Sequence, residues 1–140
     1  MQNGKALEFL AGEIRLTLEQ ATGDDSLKEC ARMLTSEMER VSKITSGLLS
    51  RVDDTEYFLA ESHAYLMLFG NVVVAWQWLK QGIAAKKALD TGTFPEEFCR
   101  SKLQTMRFFY TYELPFNDGF EKIILNDKKL TLKTDKEILM

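Results

Sequence analysis

Residues Leu66 to Gly82 read LMLFGNVVVAWQWLKQG, the most apolar stretch of the chain and the place of both its tryptophans. No proline lies between Thr55 and Leu89, so about 35 residues form one helical rod, on the order of 50 Å long at 1.5 Å per residue. Successive helical side chains turn by about 100°, so Val72, Val73, Val74, Ala75, Trp76, Trp78 and Leu79 point all the way round the axis. One buried stripe cannot account for them. Either this helix is central in its domain, or its outward face, with aromatic residues of the next helix, packs on another chain or domain. It is not a membrane span: the apolar core from Tyr65 to Leu79 is broken by Gly70, Asn71 and Gln77 and supplies about 15 residues against the ~20 that spanning needs. Gly70 and Gly82 mark places where a neighbouring helix comes close or the rod bends.

The segments on either side are helical with a single apolar face. Leu7, Leu10, Ala11, Ile14, Leu18 and Ala21 recur at three and four residues, with Glu8, Arg15 and Glu19 elsewhere, up to a stop near Gly23. A second helix begins at the capping-box pattern Ser26 to Glu29 and carries the stripe Leu27, Cys30, Leu34, Val41, Ile44 and Leu48. Asp53-Asp54-Thr55-Glu56 breaks it and caps the long third helix. The stretch from Asp90 to Glu97 holds Gly92 and Pro95 and reads as a loop. Helix four then runs from Glu96 to Leu114, with Phe98, Cys99, Leu103, Met106, Phe109 and Tyr110 on a wide face, until Pro115 stops it. After Asn117-Asp118-Gly119, Phe120 to Leu125 form one or two more turns.

Short connections between four long amphipathic segments favour antiparallel neighbours. The expected fold is therefore all-α, an up-down-up-down four-helix bundle over residues 1–125. Residues 126–140 form an extended or flexible tail, in which Leu130 and Leu132 alternate with Lys129, Thr131 and Lys133.

Several function classes are excluded by the totals. A chain of 140 residues closes one core without staples, and 45% hydrophobic content with only 2 prolines rules out disorder. A net charge of -3 provides no positive field to draw in nucleic acid or an anionic membrane. Cys30 and Cys99 allow at most one disulfide and no four-thiolate metal site. Reduced, buried thiols of a cytoplasmic protein are the plain reading. The first twenty residues carry Lys5, Glu8, Glu13 and Arg15, so they hold no secretory apolar core.

Catalytic chemistry finds no support. His63 is the only histidine, Glu61 lies two positions before it on another helical face, and the Glu-x-x-His spacing of di-iron bundles is absent. A structural His63 is the favoured reading. The pairs Asp24-Asp25, Asp53-Asp54 and Glu96-Glu97 sit at helix starts, where capping explains them. Glu113 follows the aromatic run Phe108 to Tyr112, where a carboxylate acquires a raised pKa if buried, but it has no partner and reads as a solvated helix end. Ser46, Ser50 and Ser101 lack a nucleophile-elbow pattern, and no glycine-rich phosphate loop occurs. Lys86-Lys87 and Lys128-Lys129 meet anionic groups or simply offset helix dipoles. No residue is assigned a catalytic, cofactor-binding or metal-binding role.

At YLMLFGNVVVAWQWLKQGIAA and SKLQTMRFFYTYELP the sequence resembles the C-terminal domain of the larger acyl-CoA dehydrogenase-like flavoproteins, the acetyl-CoA dehydrogenase C-terminal-like family. The resemblance rests on Tyr65, Leu68, Phe69, Gly70, Val74, Trp78 and Leu79, and on Lys102, Leu103, Arg107, Phe108, Phe109, Leu114 and Pro115, and covers about Asn3 to Pro115. It implies a four-helix module following the core of an FAD-dependent enzyme that oxidises an acyl-CoA thioester to its 2,3-enoyl form. It also implies that the catalytic glutamate lies in a Tyr-Glu-Gly-Thr-type segment before this module. That segment does not occur here, so FAD belongs to the parent and this piece is expected to be inactive alone. The implied partners are the flavoprotein core and a second subunit, giving a homo-oligomer. The competing reading is a free-standing helical interaction module.

Overall fold

A computed structural model describes residues 2–50 and 55–126. They form helices α1 (Gln2–Gln20), α2 (Asp25–Leu49), α3 (Thr55–Thr91), α4 (Glu96–Phe108) and α5 (Phe116–Leu125), with one π-helical turn at Phe109–Glu113 between the last two. There is no strand among the described residues, and the chain is all-α. The predicted cap at Asp53-Asp54 and the tail from residue 127 onward, with Lys128, Lys129, Leu130 and Leu132, lie outside the described residues.

The start of α2 differs from the capping-box expectation. Asp24, in extended backbone, is the cap, and its Oδ1 accepts from the Ser26 and Leu27 backbone amides at 2.8 and 3.2 Å. A carboxylate at the positive end of a helix offers charge as well as an acceptor, so Asp24 takes the place assigned to Ser26. Gly23, at φ 85, makes the left-handed turn that separates α1 from this cap.

The second difference lies around Pro115. Helix four does not stay α-helical to Leu114; it ends at Phe108 and widens into the π turn, where the Leu114 amide donates to the Phe109 carbonyl at 2.9 Å. Proline has no N–H to continue the ladder, and the extra residue is accommodated one turn earlier. The buried Tyr110 of this turn donates its hydroxyl to the Ala75 carbonyl of α3 at 2.7 Å. Asn117-Asp118-Gly119 are not a break but the first turn of α5.

α3, 37 residues long and so about 55 Å at 1.5 Å per residue, is the element against which the others pack. Thr45 of α2 shares a hydrogen bond of 2.8 Å with Tyr65, whereas Leu27, at the other end of α2, lies beside Gly82 with Met106 of α4. Farther along, Tyr110 meets Ala75, and Asn117 Nδ2 donates to the Leu68 carbonyl at 3.2 Å. Leu34, Ile44, Leu68, Leu79, Met106 and Ile124 form the fully buried centre, each worth about 1.5–3 kcal/mol relative to an exposed position.

Candidate interaction surface

The three valines of the apolar stretch divide as a helix must divide them. Val72 is buried, Val73 is half-buried and Val74 is exposed. Trp76 lies on the α1 side, its indole Nε1 donating to Thr17 Oγ1 at 2.8 Å with Lys80 Nζ 4.9 Å from the ring centroid. Trp78 lies on the α4 side, with Lys102 Nζ 5.9 Å from its ring and 5.3 Å from that of Phe98. Both tryptophans are half-buried. α1, α2 and the α4–α5 arm therefore take three sides of α3.

The fourth side stays open. Leu66 is 66%, Met67 44% and Val74 42% exposed, and Gln77, Gln81 and Ala84 continue the same face. A Cβ placed on Gly70 would meet no atom within 4 Å. Aromatic side chains of the following segment, Phe94, Phe98, Phe108, Tyr112 and Phe116, are exposed as well. Phe94 and Phe98 pair at 6.2 Å, and Phe108 and Tyr112 at 5.0 Å between ring centroids. Exposed apolar groups in such continuity mark contact surfaces.

The chemical candidates stand apart from one another. His63 is exposed on α3, and the described residues contain no group of three or more His, Cys, Asp or Glu side chains suited to a metal. Glu61 is buried, and burial pushes its carboxyl up from the usual range. Asp25 and the pair Glu96 and Glu97 occupy first turns of helices, with Glu96 accepting from Arg100 Nε at 2.7 Å. Glu113 is exposed in the π turn. Lys86 pairs with Asp90 at 3.0 Å, and Lys87 is exposed. Ser50 donates to the Gly47 carbonyl at 2.7 Å, and Ser46 and Ser101 are exposed on separate helices. Cys30 and Cys99 are free and buried, and burial pushes the Cys30 thiol up to about 11.

A buried polar cluster escaped sequence reasoning. Asn117 Nδ2 donates to Glu37 Oε2 at 2.9 Å, and Asn71 Nδ2 donates to Asn117 Oδ1 at 3.0 Å. Arg40 Nη2 reaches Asp118 at 2.5 Å and Arg40 Nε reaches Glu121 at 3.2 Å, tying α5 to α2. Burial raises the Glu37 carboxyl, against the lowering effect of Asn117 and Arg40. The available sign was an asparagine two residues past Pro115 in an otherwise apolar segment, which the adjoining Asp-Gly disguised as a turn.

The family model described as acetyl-CoA dehydrogenase C-terminal like matches residues 10–135. The chain belongs to that family. The match of this acetyl-CoA dehydrogenase C-terminal-like domain runs beyond Pro115, where the sequence resemblance was expected to stop, through α5 and into the residues after it. α5 is thus part of the family's domain, in keeping with Ile124 and Asn117 being fully buried against α2 and α3. A comparison with curated proteins gives no match. Among the described residues of the domain no helix is long and apolar enough to cross a membrane.

Proposed function

We propose that this chain is a non-catalytic accessory and assembly domain of an FAD-dependent acyl-CoA dehydrogenase whose whole form oxidises acyl-CoA to 2,3-enoyl-CoA in the cytoplasm. The family match over residues 10–135 carries this reading. The parent's core holds FAD and supplies the catalytic glutamate, and this chain contributes neither. Its helices close as an antiparallel up-down-up-down bundle with α5 prolonging the fourth rod; the opposed order of the Thr45–Tyr65 and Leu27–Gly82 contacts supports that arrangement. The aromatic and apolar surface left over supports docking on the flavoprotein core and on a second subunit.

Deleting the domain from the whole flavoprotein tests this. The expected result is loss of the native oligomeric state together with reduced activity or an altered acyl chain-length preference. An enzyme unchanged in all three respects would overturn the proposal.

A further inference from the structure

We infer that the cleft between the first half of α1, the second half of α2 and the middle of α3 binds a small aliphatic amine, its tail among Ile14, Val41 and Val72 and its ammonium group at Glu8, Ser42 and Ser46. The cleft measures about 230 Å³. It lies on the α1 side of α3, apart from the open face, and owes nothing to the docking role above. α1 is fastened at its far end, where Thr17 accepts from Trp76 at 2.8 Å and Ala21 is buried. Toward its start Leu7, Leu10 and Ala11 stay half-buried, because the space lies beneath them. The ring of Phe69, on the cleft wall, is kept from filling it. It stacks on Tyr65 at 6.1 Å, and Tyr65 is held by Thr45 at 2.8 Å. Protein interiors pack with few voids larger than a water molecule, so a space of this size walled by aliphatic side chains is an exception. An apolar cavity of about 150 Å³ stays dry and takes up benzene, and the larger one here admits a tail of roughly six to eight carbons.

The polar groups choose the kind of ligand. Ile14, Val41 and Val72 form a buried floor, whereas Glu8, Ser42 and Ser46 are exposed at the rim. Among the described residues the lining holds a single acid, Glu8, and no base. Lys43 of α2 reaches away from it, toward Glu121 of α5 at 3.5 Å. A carboxylate head would therefore meet a like charge with no cation to offset it, while an ammonium meets its complement. An ammonium has three N–H donors, and the rim supplies three side chains that accept. The hydroxyls of Thr17 and Thr35 are spent on the carbonyls four residues back, at 3.3 and 2.9 Å, and Ser42 and Ser46 make no such bond among the described residues. A protein partner would need about 800 Å² of contact on this side. The exposed large apolar side chains that could supply it lie elsewhere, and none of them lines the cleft.

Methyl-detected NMR titration of the 140-residue chain with hexylammonium, 1-hexanol and hexanoate tests the site. Hexylammonium is expected to give saturable shifts at Ile14, Val41 and Val72 and none of comparable size at Leu66 and Val74 on the open face. It is expected to bind about threefold more tightly than 1-hexanol and about tenfold more tightly than hexanoate, the scale of an exposed ion pair gained or opposed. Glu8→Gln is expected to erase the order among the three heads while the tail still binds. Ala11→Leu fills the cleft and is expected to abolish the shifts with helical circular dichroism retained. Ser46→Leu, at an exposed position, closes the rim without touching the floor and is expected to do the same if Ala11→Leu disturbs the fold. The inference is overturned if no shift saturates, if Leu66 and Val74 respond as strongly as the floor, or if hexanoate binds as tightly as hexylammonium. It is overturned equally if Glu8→Gln keeps the order of heads, or if a folded Ala11→Leu or Ser46→Leu chain binds as the wild type does.

Discussion

Asn117 of α5 donates to the Glu37 carboxylate of α2 at 2.9 Å, and these two residues are 0% and 6% exposed. A donor and an acceptor brought together 80 residues apart in sequence, with Asn71 closing the other side of the amide, define where α5 lies. Asn117→Ala leaves a buried carboxylate without that donor, a loss of about 1–3 kcal/mol. Urea unfolding is expected to show it as a lower midpoint with an unchanged slope.

Glu37 also gives stability a pH dependence. Burial raises its folded carboxyl pKa above the unfolded value, so folding favours the protonated form. Its contribution is complete below the unfolded pKa and fades as pH rises through the folded one. Glu37→Gln, neutral at every pH and still able to accept from Asn117, is expected to flatten the stability profile above about pH 4.5, the ordinary carboxyl value. The variant gains on the wild type toward neutrality, and melting temperatures from pH 4 to pH 7 check the sign. Glu61, buried on α3 and shifted in the same direction, leaves a smaller residual slope in that variant.

The glycines of α3 separate by what surrounds them. An added Cβ at Gly82 would overlap the Met106 sulfur and press on Leu27 Cδ2 at 3.2 Å, and both of those side chains are buried. Gly82→Ala is expected to destabilise by about 1–3 kcal/mol through overpacking, partly offset by better helix propensity. Gly70→Ala meets nothing and is expected to stabilise the isolated chain by up to about 1 kcal/mol. Thermal melts of the two variants should move in opposite directions.

Tyr110→Phe deletes the buried bond to the Ala75 carbonyl that fastens the π turn to α3. A loss of about 1 kcal/mol follows from a hydrogen bond of this kind. Amide exchange is expected to quicken most between Phe109 and Leu114 and little in α1.

The all-helical class and the long third helix were legible because apolar residues at Leu27, Leu34, Ile44, Leu68 and Leu79 keep helical spacing, and all of these are buried. Local signals misled where two of them competed. Ser26 carries the capping-box pattern, but Asp24 precedes it with a stronger acceptor at the same helix end. Asn117-Asp118-Gly119 has turn composition, yet Asn117 spends its amide on Glu37, Asn71 and Leu68, partners that sequence proximity never reveals. The excess of apolar surface on α3 was readable from Val72 to Leu79. Which side stays open was not, because that depends on α1 covering Trp76 and α4 covering Trp78.

The most direct measurement is the peroxide oxidation rate of Met67, followed by mass spectrometry in the dilute chain and in the whole assembled enzyme, with the fully buried Met106 as internal reference. In the dilute chain Met67 should oxidise far faster than Met106, and in the assembled enzyme it should be protected to a rate near that of Met106. Equal oxidation of Met67 in both states would mean that the open face of α3 is never covered, and would contradict its role as a docking surface.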